Sequence, residues 1–99
     1  MLFSEKIRHL REEQQLPQRQ LAAALEIDTA TYCKIEKGDR KAKREQVVIM
    51  SRIFKYDMQE LLNLWVADKV YNIVGEEVNP ESILSIVAER VAEYSEPKP

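Results

Sequence analysis

An all-α fold, five helices in one bundle with an additional C-terminal helix, is what this sequence predicts, and three observations carry the expectation. Apolar residues recur at spacings of three and four along most of the chain, the pattern of helices that turn one face to a core. Residues that cap or stop helices, among them Asp28, Gly38, Asp57, Gly75 and the Asn79-Pro80 pair, punctuate those runs. Glycine occurs only twice in 99 residues, which argues against sheets joined by tight hairpins.

Phe3, Ile7 and Leu10 share one helical face while Glu5, Lys6, Arg8, Glu12 and Glu13 fill the others, so residues 3–14 read as the first helix. Leu16-Pro17 interrupts the pattern, because proline disfavours a helical residue before it and is tolerated in a first turn. A second helix runs from Pro17 to Leu25, with Ala22, Ala23 and Ala24 leaving a thin surface that lets another helix approach. Asp28 is a good N-cap for a third helix over 29–37, and Gly38 supplies its stop.

The segment from Asp39 to Arg44 holds four cations in six residues and leads into a fourth helix with Val47, Met50, Ile53 and Phe54 as its apolar set. Lys43 and Arg44 stand at the positive end of that helix, where each cation is disfavoured by roughly 0.3–1 kcal/mol. An anionic partner would reverse that sign. Asp57 and Glu60 form a capping-box pair that opens a long fifth helix, whose Leu61, Leu62, Leu64, Trp65, Val66, Val70, Tyr71, Ile73 and Val74 exceed what one buried face needs. Gly75 ends it. Asn79-Pro80-Glu81 starts the last helix, about 80–94, with Ile83, Ile86, Val87, Val91 and Tyr94 on one side, and 96–99 should fray.

Composition bounds the function. Hydrophobic residues at 44% and charged residues at 32% describe an ordinary globular chain of one domain with an appendage. No apolar stretch approaches the ~20 residues that span a bilayer, and Met1 is followed by no secretion-type segment, so no membrane association and a cytoplasmic location are expected. Cys33 stands alone, which excludes an internal disulfide and a cysteine-based zinc site. Residues 1–55 carry 12 Lys and Arg against 8 Asp and Glu, a balance of +4, whereas residues 56–99 carry 3 against 9, a balance of −6. The first part suits a polyanion and the second avoids one.

Two short helices joined by a tight turn, the first alanine-rich and the second capped, have the geometry that places a helix in a major groove. The residues Ile7-Arg8-His9-Leu10-Arg11, Leu16-Pro17-Gln18-Arg19-Gln20-Leu21-Ala22 and Tyr32-Cys33-Lys34-Ile35-Glu36-Lys37-Gly38, with Leu61-Leu62 closing the bundle, resemble the repressor and Cro type of helix-turn-helix proteins, also called the xenobiotic-response-element type. The resemblance covers about residues 3–66. It implies a lambda-repressor-like bundle, a structural ion pair between Arg11 and Glu36, and a recognition helix whose Thr29, Ala30 and Lys34 reach base edges, with Thr31 and Cys33 nearby and Tyr32 and Ile35 turned inward. Lysine can donate to guanine, and threonine or alanine can pack on a thymine methyl. With no Arg, Gln or Asn on that face, DNA shape and phosphate contacts carry more of the recognition.

Backbone contacts are expected at Gln18, which resemblance places at a phosphate or outer base, and with it at Arg19 and Asp28. Lys37, Arg40, Lys41, Lys43 and Arg44 cluster just after the recognition helix and are expected to clamp phosphates. The sequence departs from the family pattern at Pro17, where a capping serine or threonine is usual, and at Glu26, where glycine is common in the turn.

The domain boundaries expected are 1–68 for the DNA-binding part, 69–95 for a dimerisation extension and 96–99 for the tail. Trp65, Val66, Val70, Tyr71, Ile73, Val74, Ile83, Ile86, Val87 and Val91 are the candidate dimer interface. One His, one Cys and dispersed carboxylates offer neither a metal cluster nor a nucleophile and base, so no enzyme activity, metal, cofactor or small-molecule ligand is expected. The function expected is a transcriptional regulator, a repressor, that binds an inverted-repeat operator in double-stranded DNA as a homodimer. An antitoxin or a restriction-modification controller fits the same pattern. A different reading is a protein-bridging module that recruits a protein partner through the acidic C-terminal half.

Overall fold

A computed structural model of the chain describes residues 1–95, and the expected frayed tail, 96–99, lies outside them. The described residues form six helices: α1 (Leu2–Glu13), α2 (Gln18–Ala24), α3 (Thr29–Lys37), α4 (Arg44–Phe54), α5 (Met58–Val74) and α6 (Pro80–Ser95). They divide into two units, Met1–Asp68 and a second from Lys69 onward. No helix among the described residues is long and apolar enough to cross a membrane.

The first unit is a helical bundle whose core takes Phe3, Ile7 and Leu10 from α1, Leu21 and Ala22 from α2, Tyr32 and Ile35 from α3, Val47, Met50 and Phe54 from α4, and Leu61, Leu62 and Trp65 from α5. Burying a side chain of the Val, Leu or Ile class stabilises by roughly 1.5–3 kcal/mol, so these spaced residues are what hold short helices that would not persist alone. Of the three adjacent alanines only Ala22 is buried, beside Leu21 and Leu25; at about 100° per residue Ala23 and Ala24 turn past that stripe and face outward.

Helix ends depart from the sequence expectation where a distant residue intervenes. α1 starts at Leu2, a residue earlier than the periodicity suggests, with no side-chain cap from Met1. Its first N–H groups are instead taken by Asp68 of α5, whose carboxylate accepts from Leu2 N at 3.0 Å and Phe3 N at 2.9 Å. A carboxylate at a helix N-terminus is favoured by both hydrogen bonding and the helix dipole. α2 begins at Gln18 rather than Pro17, since Pro17 keeps an extended backbone (φ −74°, ψ 149°) and caps with no side-chain hydrogen bond. At the other end of α1, Gln14 Nε2 donates to the Phe54 carbonyl at 2.8 Å, which ties its C-terminus to that of α4.

Left-handed backbone follows four helices among the described residues, at Gln15, Glu26, Gly38 and Lys55, and two of these bear on α3. Gly38 stops α3 at φ 83°, and a Cβ there would stand 3.4 Å from Ser4 Oγ. Glu26, in the turn between α2 and α3, takes φ 57° without the freedom of glycine. Side chains in that region are strained by about 1–2 kcal/mol. Glu26→Gly is therefore expected to raise stability, by up to about 1 kcal/mol after the extra chain entropy of glycine is subtracted. A lowered urea midpoint for the variant would contradict this.

The second unit comprises the end of α5 and α6. Val74 is buried, while Val70, Tyr71, Ile73, Leu84, Ile86, Val87, Val91 and Tyr94 are exposed. Trp65, expected among the surplus apolar residues of a dimer face, belongs instead to the core of the first unit, and Val74 is likewise covered within the chain. The correction has a simple cause for Trp65: it stands three and four residues after Leu62 and Leu61, so it shares their side of α5 and is buried with them.

Candidate nucleic-acid interface

α3 presents one continuous outward face. Thr29, Ala30, Lys34 and Lys37 are exposed and Cys33 is half-buried among them, while Tyr32, Ile35 and Glu36 are buried on the opposite side; Thr31 is half-buried at the margin. The 3.6-residue repeat brings positions 29, 30, 33, 34 and 37 to neighbouring angles, so five residues with short or cationic side chains share the surface a groove would meet.

The helix is set at both ends. Asp28 Oδ1 accepts from Thr31 N at 2.6 Å, and Gly38 closes the C-terminus through its N–H to the Ile35 carbonyl. Hydrogen bonds from Thr31, from its side chain first and its backbone second, hold the Asp28 carboxyl below its ordinary value. A depressed carboxyl contributes stability that is present above its unfolded pKa and lost as pH falls through its folded pKa. The start of α3 should thus stay capped through the ordinary aspartate range, with Asp28 titrating below 3.8 by NMR. A midpoint at or above that value would refute the capping account.

Two contacts fix α3 against its neighbours. Arg11 Nε donates to Glu36 Oε2 at 2.8 Å and Arg11 Nη2 to Glu36 Oε1 at 2.9 Å, while Nη1 donates to the Leu16 carbonyl at 2.9 Å. One side chain thereby joins α1, the α1–α2 turn and α3. Glu36 is almost wholly buried, and its hydrogen bond raises the Arg11 pKa further. Tyr32 lies beside the pair; burial, then the Glu36 carboxylate, pushes its phenol far up and keeps it neutral. At the outer edge, Cys33 Sγ donates to Gln18 Oε1 at 3.1 Å. This brings the first residue of α2 to the α3 face and leaves the Gln18 amide N–H groups to donate elsewhere.

The segment between α3 and α4 carries the cations. Arg40, Lys41, Lys43 and Arg44 are exposed, and Ala42 in their midst is buried. Asp39 N and Arg40 N both donate to the Lys34 carbonyl, at 2.9 and 3.2 Å, and Lys43 N donates to Gln46 Oε1 at 2.8 Å. Sequence reasoning did not find what holds the middle: Trp65 Nε1 donates to the Ala42 carbonyl at 2.9 Å, and the Arg44 guanidinium lies over the Trp65 ring, 5.2 Å from its centre. Arg44 at the start of α4 therefore has a partner within the fold that offsets part of its unfavourable placement against the helix dipole. The only signal in the sequence was that an indole needs a hydrogen-bond acceptor when buried.

His9 is exposed and pairs with Glu13 at 2.7 Å, next to a groove of about 590 Å³ lined by Met1, Ser4, Glu5, Arg8, His9, Glu12, Glu36 and Lys37. Its charges are partly matched internally, since Arg8 also pairs with Glu12 at 2.9 Å.

A family model described as helix-turn-helix matches residues 7–61, more than half of the chain, and that span runs from α1 into the beginning of α5. No curated protein and no solved structure matches.

Proposed function

We propose, on the premise that this chain belongs to the repressor/Cro-type family of helix-turn-helix proteins, that it represses transcription by binding an inverted-repeat operator as a homodimer. At the level of the family it is a DNA-binding transcription regulator, and double-stranded DNA is its partner. The observation that carries the finer reading is the continuity of the exposed α3 face with the cationic segment 40–44. The face offers hydrogen-bond donors and small apolar groups to base edges, and the segment offers charge to phosphates.

In this reading Thr29, Ala30, Thr31, Cys33 and Lys34 meet the bases, and Gln18, Arg19, Asp28, Lys37, Arg40, Lys41, Lys43 and Arg44 meet the backbone. Asp28 would do so only through its main chain, because its carboxylate is engaged in the cap and repels phosphate. Lys34→Ala is expected to lose discrimination among sequences, by about 1–3 kcal/mol at the base pair it reads, and to lose little on generic duplex. Equal loss on every sequence would remove Lys34 from the base-reading set.

The exposed apolar side chains of the second unit support a protein partner, with Tyr71 65%, Ile73 74% and Ile86 68% exposed. A second copy is the partner proposed, because a twofold reader spans two half-sites about 34–36 Å apart. Val70, Val87 and Val91 of the same unit, its half-buried Ile83, and Val66 of the first unit are the other residues proposed for contact with the second copy. The test is selection of bound sequences from a random duplex library at near-physiological salt. An enriched inverted repeat with half-sites one helical turn apart is expected. A flat library would favour the bridging alternative, in which the acidic C-terminal half recruits a different protein.

A further inference from the structure

We propose that Trp65 is a positioning residue of the DNA interface: it fixes the basic segment 40–44 in the conformation that meets the duplex. The proposal rests on the reading of Arg40, Lys41, Lys43 and Arg44 as phosphate contacts. Residues 39–43 lie outside any helix and are tied at their two ends by backbone hydrogen bonds to Lys34 and to Gln46. The four like charges between Arg40 and Arg44 repel one another, and a single conformation of the segment's centre has to be selected against that repulsion.

Trp65 supplies that selection from 23 positions away. The indole N–H holds the Ala42 carbonyl at 2.9 Å in a buried setting, and Ala42 itself is only 5% exposed, so the centre of the segment is pinned inward. With Ala42 inside, Lys41 and Lys43 flank it on the exposed side. The face of the same indole lies under the Arg44 guanidinium at 5.2 Å. One residue thus acts on the segment through two chemistries, an N–H donor and a π face. A pre-ordered cationic segment binds polyanion without first spending free energy on ordering.

The test uses the full chain and a mixed-sequence duplex of roughly two helical turns, since phosphate contacts do not depend on sequence. Trp65→Phe keeps an aromatic ring for Arg44 and removes the donor to Ala42. Its expected effect is a roughly tenfold weaker association with a shallower salt dependence. The decisive readout is a double-mutant cycle with Lys41→Ala/Lys43→Ala, which leaves the Arg44–indole contact in place: in that background Trp65→Phe should weaken binding far less than it does in the native chain. A merely structural tryptophan would give additive losses, and additive losses or an unchanged affinity overturn the proposal. If Lys43→Ala/Arg44→Ala leaves the salt slope unaltered, the phosphate reading fails instead, which separates the two failures. Should Trp65→Phe not fold, hydrogen exchange of the native indole N–H gives the answer. Added duplex should slow it more than it slows the amide of buried Ile7, and equal slowing overturns the proposal.

Discussion

Replacing Arg11 with alanine is expected to cost the fold about 3–5 kcal/mol, the range found when one partner of a buried ion pair is removed. The geometry justifies the upper part of the scale for this chain. Both guanidinium edges that face Glu36 are used, a third hydrogen bond runs to the Leu16 carbonyl, and the Glu36 side chain left behind is only 3% exposed. Domains of this kind are stable by roughly 5–15 kcal/mol in total, so the variant should lose a large fraction of its stability and unfold at a much lower urea concentration. Urea unfolding followed by circular dichroism measures this directly. The double variant Arg11→Met/Glu36→Leu should recover most of the loss, because the cost lies in an uncompensated charge more than in a missing attraction. The raised Arg11 pKa gives the sign of the pH effect: its contribution is complete below the unfolded pKa and lost only as pH rises through a still higher folded value. Alkali within the ordinary working range should leave the pair intact. A loss below about 1 kcal/mol for Arg11→Ala would mean that the contact behaves as an exposed pair.

Lys43→Ala combined with Arg44→Ala is expected to weaken binding to all duplexes alike and to reduce the salt slope by about 1.8, at roughly 0.9 for each phosphate no longer neutralised. The affinity gap between the native chain and the variant should therefore shrink by about twelvefold between 50 and 200 mM salt. Binding isotherms at several salt concentrations measure it. Because Arg44 also stacks on Trp65, some loss of stability should accompany the change, and an unfolding curve separates that from the loss of DNA affinity. A constant gap across salt would place both residues outside the phosphate contacts.

These two predictions differ in how far the sequence led to them. The Arg11–Glu36 pairing was accessible only through resemblance, since nothing in the spacing of residues 25 positions apart announces a contact. The cationic segment was visible in composition, but its conformation was not. Its placement against the helix dipole looked like a cost that required DNA, until the indole of Trp65 proved to lie beneath Arg44. Trp65 falls among the expected dimer-face residues, and in the core of the first unit, for the same reason. Periodicity reports that a residue faces something apolar, and it cannot say whether that something is the same chain or another.

By itself the sequence determined the all-α architecture and the six helices to within a residue or two, because helical periodicity, caps and stops act over three to five neighbouring residues and are written in local order, while the outward set of α3 was legible through family resemblance. Only the tertiary structure decided that Asp68 caps α1, that Gln18 and Cys33 meet at the edge of the α3 face, and that Trp65 anchors Ala42 and Arg44. Each of those contacts joins residues 15 or more positions apart, and such pairings are set by how packed helices bring side chains together, which no local pattern encodes.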